Sequence, residues 1–92
     1  MSRAKVRASV EWFATSMEVQ LRVNDYKGGW KNCDLPFLLR KLEAEFRNLS
    51  LEVTLHGNLK TDQRPNHATI LRKATDLANF AMMIADNCRP KP

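Results

Sequence analysis

Asp34-Leu35-Pro36-Phe37-Leu38-Leu39-Arg40-Lys41-Leu42-Glu43-Ala44-Glu45-Phe46-Arg47-Asn48-Leu49-Ser50-Leu51-Glu52-Val53-Thr54-Leu55-His56-Gly57 is the stretch on which the fold turns. Leu35, Leu38, Leu39, Leu42, Phe46, Leu49 and Val53 recur at three- and four-residue steps, which gathers them on one side of a helix. Asp34 is a good N-cap, because its short carboxylate can accept an orphan N–H of the first turn. Pro36 is tolerated inside that turn, where its missing N–H costs nothing. Gly57 suits the left-handed residue that ends a helix. Read alone, Leu49 to Leu55 (LSLEVTL) alternates as a strand would. The helical stripe ahead of it, and the lack of a second clear strand, decide for helix.

Two further helical patterns flank this one. The first runs from about Val6 to Val23, with Val10, Phe13, Met17 and Leu21 on one face; Asn24 and Asp25 interrupt it and Gly28-Gly29 breaks it. Asn58 to Asn66 is a polar connector containing Asp62, Arg64 and Pro65. The third pattern covers about His67 to Asn87, where Ile70, Leu71, Ala74, Leu77, Ala78, Ala81, Ile84 and Ala85 form a broad, alanine-rich surface. Small residues let a second helix approach closely. The expected fold is all-α: a single domain over residues 1–92, a bundle of three main helices with short basic termini. Each helix has more apolar face than two neighbours can cover, and Phe80, Met82 and Met83 add to the surplus. A homodimer through Ala78, Ala81, Met82 and Ile84 is the expected completion.

Composition sets the class of answer. Ninety-two residues with 43% hydrophobic and 27% charged side chains make one soluble-type domain of marginal core size. Cys33 and Cys88 lack metal-ligand spacing and read as free thiols of a reducing compartment. No run approaches the roughly 20 apolar residues of a membrane span, and the basic start meets Glu11 before any apolar run forms, so no signal peptide is expected. The expected location is cytoplasmic. A net charge of +5 favours an anionic partner.

The residues offer little ordinary catalytic chemistry. Lys27-Gly28-Gly29-Trp30 lacks phosphate-loop spacing, and no Ser, His and acid form a nucleophilic motif. His56 and His67 flank the connector and are expected to face solvent. Glu45, among Leu42, Phe46 and Leu49, and Asp76, among Ala74, Leu77 and Ala78, are acids beside apolar stripes. Such acids need a partner. Either the two face each other across helices and hold a metal, or each pairs with a base.

Asn24-Asp25-Tyr26-Lys27-Gly28-Gly29-Trp30, Leu38-Leu39-Arg40-Lys41-Leu42-Glu43-Ala44-Glu45 and Ala74-Thr75-Asp76-Leu77-Ala78-Asn79-Phe80-Ala81-Met82-Met83-Ile84-Ala85-Asp86 resemble the MazG-like family of all-α nucleoside triphosphate pyrophosphohydrolases. The resemblance extends from about Phe13 to Cys88. It implies a helical bundle, commonly dimeric, with Glu-x-x-Glu on one helix and Glu-x-x-Asp on a later one presenting four carboxylates to magnesium. Glu45 matches the first acid and Asp76 the last. Asn48 and Lys73 stand where the other two belong, Ala44 occupies an often acidic position, and Tyr26 one that is often histidine. An ammonium at Lys73 about 5 Å from a divalent ion would be repelled by about 6–7 kcal/mol at an effective dielectric near 20. Its long stem lets it swing away, but the lost carboxylate is not restored.

Two functions follow as expectations. In the first, the chain is a catalytically degenerate member, expected to be carried by a phage or mobile element. It would act as a binding or inhibitor module for a nucleic acid or ribonucleoprotein, for example as an anti-CRISPR protein. Carboxylates lost and a lysine gained suit direct contact with phosphate and no cofactor. Lys27, Lys31, Arg40, Lys41, Arg47, Arg72 and Lys73 are the candidate contacts, each of which could equally be an ordinary solvated side chain. In the second, an altered site still hydrolyses nucleoside triphosphates, with magnesium on Glu45 and Asp76.

Overall fold

The computed structural model describes residues 5–56 and 64–90, and its helices begin and end where local chemistry permits. Helix α1 spans Ala8–Val23. It starts two residues later than the apolar pattern suggests, because Arg7 stays extended and offers no side-chain cap. Asn24 closes it by donating its N–H to the Leu21 carbonyl at 3.1 Å, and a single 3-10 turn, Asp25–Lys27, follows. Gly28 then takes φ 89° and ψ 173°, a region essentially reserved for glycine. A Cβ there would meet nothing within 4 Å, so the backbone angle alone demands the glycine.

Helix α2 spans Leu35–His56 and includes the whole LSLEVTL segment. Its start is the expected one: the Phe37 N–H donates to Asp34 Oδ1 at 2.8 Å, and the Leu38 N–H to the Asp34 carbonyl at 3.2 Å. Helix α3 spans Arg64–Asn87, so it begins three residues before His67 and shortens the expected connector. Pro65 belongs to its first turn for the reason that Pro36 fits in α2: no N–H is required there. The rest of the connector, and Gly57 with it, lies outside the described residues.

The fold is all-α, with no strand among the described residues. α3 occupies the middle. α2 packs along it extensively, α1 packs on it less, and α1 and α2 do not meet. Phe13, Met17 and Leu21 are the half-buried line of α1, as their spacing requires. The best-buried positions of α3 are polar: Thr75 and Asn79. Thr75 returns its hydroxyl to the Leu71 carbonyl at 2.8 Å, and Asn79 Nδ2 donates to the Met17 carbonyl at 3.2 Å, which pins α1 to α3. Among the described residues only one apolar side chain, Leu38, is fully buried.

This arrangement is open. The extents are 49 × 36 × 21 Å and the radius of gyration is 15.2 Å, against about 12 Å for a compact chain of this length. His56 and His67 are half-buried, contrary to the expectation of solvent exposure, because the α2–α3 packing continues toward their junction. His67 Nε2 is buried without a hydrogen-bond partner. Among the described residues, no helix is long and apolar enough to cross a membrane.

Candidate functional site

The connector from Asn24 to Asp34 would be an ordinary loop but for its attachment to the end of α3. Asp86, in the last turn of α3, accepts hydrogen bonds from Trp30 Nε1 at 3.0 Å and from the ammonium of Lys31. Its other oxygen is held by Arg89. Asn87 adds its amide, donating to the carbonyls of Trp30 at 2.9 Å and Cys33 at 3.3 Å. An acid at a helix C-terminus faces the negative end of the macrodipole, and these donors offset that unfavourable field. The Lys31 ammonium first, then the Trp30 indole, hold the Asp86 carboxyl well below the usual carboxylate range; burial opposes them and Arg89 adds to them. The Asp86 side chain is 7% exposed.

Anchored this way, the connector roofs a cavity of about 570 Å³ against the first half of α2 and the last half of α3. Gly28, Gly29 and Trp30 line it from the connector, Phe37, Lys41 and Glu45 from α2, and Phe80 and Met83 from α3. Lys27 also lines it. Its ammonium lies 5.7 Å from the Tyr26 ring centre, and that of Lys41 lies 5.4 Å from the Phe37 ring centre, so each is steadied by an aromatic face. Glu45 Oε2 is buried and accepts no hydrogen bond. A buried carboxylate oxygen without a donor is an exception among native polar groups.

The two acids of the four-acid pattern are treated differently by the fold. Glu45 reaches the cavity. Asp76 does not line it: its carboxylate, 19% exposed, pairs with Arg72 one turn earlier on α3 at 3.5 Å. Asn48 is exposed and Lys73 half-buried. Among the described residues, no three His, Cys, Asp or Glu side chains gather where they could hold a metal ion.

Of the seven candidate cationic contacts, Lys73 stands apart, half-buried on α3, and the other six fall into separate groups. Lys27 and Lys41 share the cavity. Arg40 and Arg47, seven residues apart, lie along one exposed line of α2. Lys31 is committed to Asp86 and Arg72 to Asp76. The Trp30–Asp86–Asn87 network carries no periodic signal in the sequence, because its partners lie more than 50 residues apart; an acid in the last turn of a helix, where the dipole disfavours it, is the one local hint. No family model, curated protein or solved structure matches this chain.

Proposed function

We propose that this chain is a catalytically degenerate MazG-like binding module whose cavity receives a phosphate-bearing partner, a nucleic acid or ribonucleoprotein, directly. In a phage or mobile element such a module would serve as an inhibitor of the anti-CRISPR kind. One observation carries the reading. The three segments that resemble the family converge on a single cavity, whose lining includes two lysines and one carboxylate. Asp76, which a metal would require, is engaged by Arg72, so its charge is already balanced within α3. Phosphate oxygens would meet the Lys27 and Lys41 ammonium groups, and the flat walls of Trp30 and Phe37 would accept an apolar or stacked group beside them.

The test is a titration with an oligonucleotide, followed by Trp30 fluorescence at several salt concentrations. The double variant Lys27→Ala with Lys41→Ala is expected to weaken binding and to lower the slope of log affinity against log salt by about 1.4–1.8, the effect of two lost phosphate contacts. An unchanged slope would remove the cavity from the mechanism.

One observation favours a second reading, the altered pyrophosphohydrolase: the unpartnered oxygen of Glu45. Two carboxylates, one already paired, fall short of the four-acid donor set. Pyrophosphate release from canonical or modified deoxynucleoside triphosphates, with magnesium or manganese and at ordinary enzymatic rates, would establish it. On the binding reading the unmodified chain releases none. Asn48→Glu with Lys73→Glu would then rebuild the acid pattern and shift the charge by about −3, one unit from the added charge at Asn48 and two from the reversed charge at Lys73.

A further inference from the structure

Three features of the Glu45 cavity are not explained by the fold or by phosphate contact. The first is Gly29. Its neighbour Gly28 needs to be glycine for its positive φ, but Gly29 has no such angle, and a Cβ there would meet nothing within 4 Å. Neither the backbone nor the packing asks for a glycine at 29, and a glycine costs chain entropy. What a methyl group would take away is room, for Gly29 lines the cavity, and a bare backbone lets a ligand come close. The second is Glu45 Oε2, which accepts no hydrogen bond although two lysines share its cavity. The third is Trp30. Its one N–H is committed to Asp86 at 3.0 Å, so the indole is fixed and offers the cavity a flat apolar wall in place of a donor.

We infer that the cavity takes an unpaired guanine, whose donor edge is read by the Glu45 carboxylate while its ring lies against Trp30 and over the bare backbone of Gly29. This role for Glu45 rests on the binding reading and adds the base that the cavity selects. An ionised carboxylate can only accept. Guanine alone among the bases sets two donors side by side, N1–H and the N2 amino group, and a carboxylate receives such a pair in parallel. Adenine and cytosine place their amino group beside a ring nitrogen that repels a carboxylate, and thymine places its N3–H between two carbonyls. The last torsion of a glutamate is soft, so Oε2 can turn to meet a donor entering the cavity. Pairing hides this edge in a duplex, so the base must come from a single strand, a loop or an end. A volume of about 570 Å³ suits one such nucleotide. An arginine from a protein partner would present a similar fork. The Lys27 and Lys41 ammonium groups repel that cation, however, and attract the phosphate that a nucleotide brings.

The test is calorimetric titration of the full chain with three five-nucleotide strands: all thymine, thymine with guanine at the centre, and thymine with hypoxanthine there, which lacks only the N2 amino group. The guanine strand should bind at least about tenfold more tightly than either of the others. Glu45→Gln, which sets an amide N–H₂ against the base's own donors, should erase that preference. Gly29→Ala should leave the denaturation midpoint unchanged or higher, yet weaken binding of the guanine strand by about tenfold or more. Equal affinity for the three strands, with a salt slope still lowered by Lys27→Ala and Lys41→Ala, overturns the guanine inference and leaves the phosphate reading in place. Binding of none of them overturns both. A guanine preference that survives Glu45→Gln, or undiminished binding with Gly29→Ala, also overturns the inference.

Discussion

The side of α2 turned toward α3 carries Leu38, Glu45 and Glu52, seven residues apart, whereas a flank about 100° round the helix carries Leu39, Phe46 and Val53 at the same spacing. The side opposite α3 is polar, with Arg40, Glu43, Arg47 and Thr54, so the open apolar line is a flank of an otherwise ordinary amphipathic helix. The difference separates two jobs. The inner line gives up burial to bring a carboxylate to the cavity, leaving Leu38 to hold the helix in place. The flanking line keeps the apolar residues that the inner one lacks and leaves them about half exposed.

The largest expected effect sets these two lines against each other. Leu38→Ala should cost about 2–5 kcal/mol, because a fully buried leucine leaves both lost contacts and a cavity. Denaturant unfolding should report that loss equally at low and high protein concentration. Phe46→Ala, on the flanking line, should cost within about 0.5 kcal/mol in dilute solution, as exposed positions do. Equal, concentration-independent losses at the two positions would break the comparison, since Phe46 would then be packed within one chain.

The next effect separates two acids at the α2–α3 side of the molecule: Asp86, which has every donor it needs, and Glu45, which has none for Oε2. The folded Asp86 carboxyl titrates below its unfolded value of roughly 3.9. It therefore contributes stability that is fully present above that unfolded value and is lost as pH falls through the lower folded one. Asp86→Asn lacks this contribution, so its melting temperature should fall less steeply between about pH 5 and 2 than that of the unmodified chain. Lys31→Met removes the largest cause of the shift and should move the acid loss of stability to higher pH. Parallel acid limbs for all three chains would show that Asp86 gains nothing from its donors.

How much of this was legible beforehand depends on the range of the interaction. The Asp34 cap, the helical reading of Leu49 to Leu55 and the end of α1 follow from contacts within a few residues, and the sequence contains them. The start of α3 lies three residues ahead of its apolar pattern, because Pro65 fits a first turn as well as it fits a loop and so carries no boundary signal of its own. Glu45 could be singled out because an acid interrupting an apolar stripe is anomalous. The inward and flanking lines of α2 could not be told apart, for Leu38 and Leu39 differ by one position, and only the placement of α3 decides which is covered. Asp86, Trp30 and Asn87 come together solely through tertiary packing.

The smallest effect tests whether the inner line yields stability for function. Glu45→Met keeps the approximate volume and the unbranched shape of the side chain while removing a buried carboxylate oxygen that no donor satisfies. An unsatisfied buried acceptor is a cost, and replacing it with a packed apolar group is neutral or favourable. The expected gain is about 1 kcal/mol in denaturant unfolding, with Phe80 and Met83 as the new neighbours within the cavity. The same change should alter what the cavity does. On the binding reading, loss of the one lining carboxylate leaves Lys27 and Lys41 unopposed, and affinity for an all-thymine oligonucleotide should rise at low salt and fall more steeply as salt is added. On the hydrolytic reading, any pyrophosphate release should disappear with the unpartnered oxygen. A stability loss of more than about 1 kcal/mol would instead make Glu45 a structural residue with a partner of its own, and would shift the search for the function of the inner line to Glu52, one heptad further along α2.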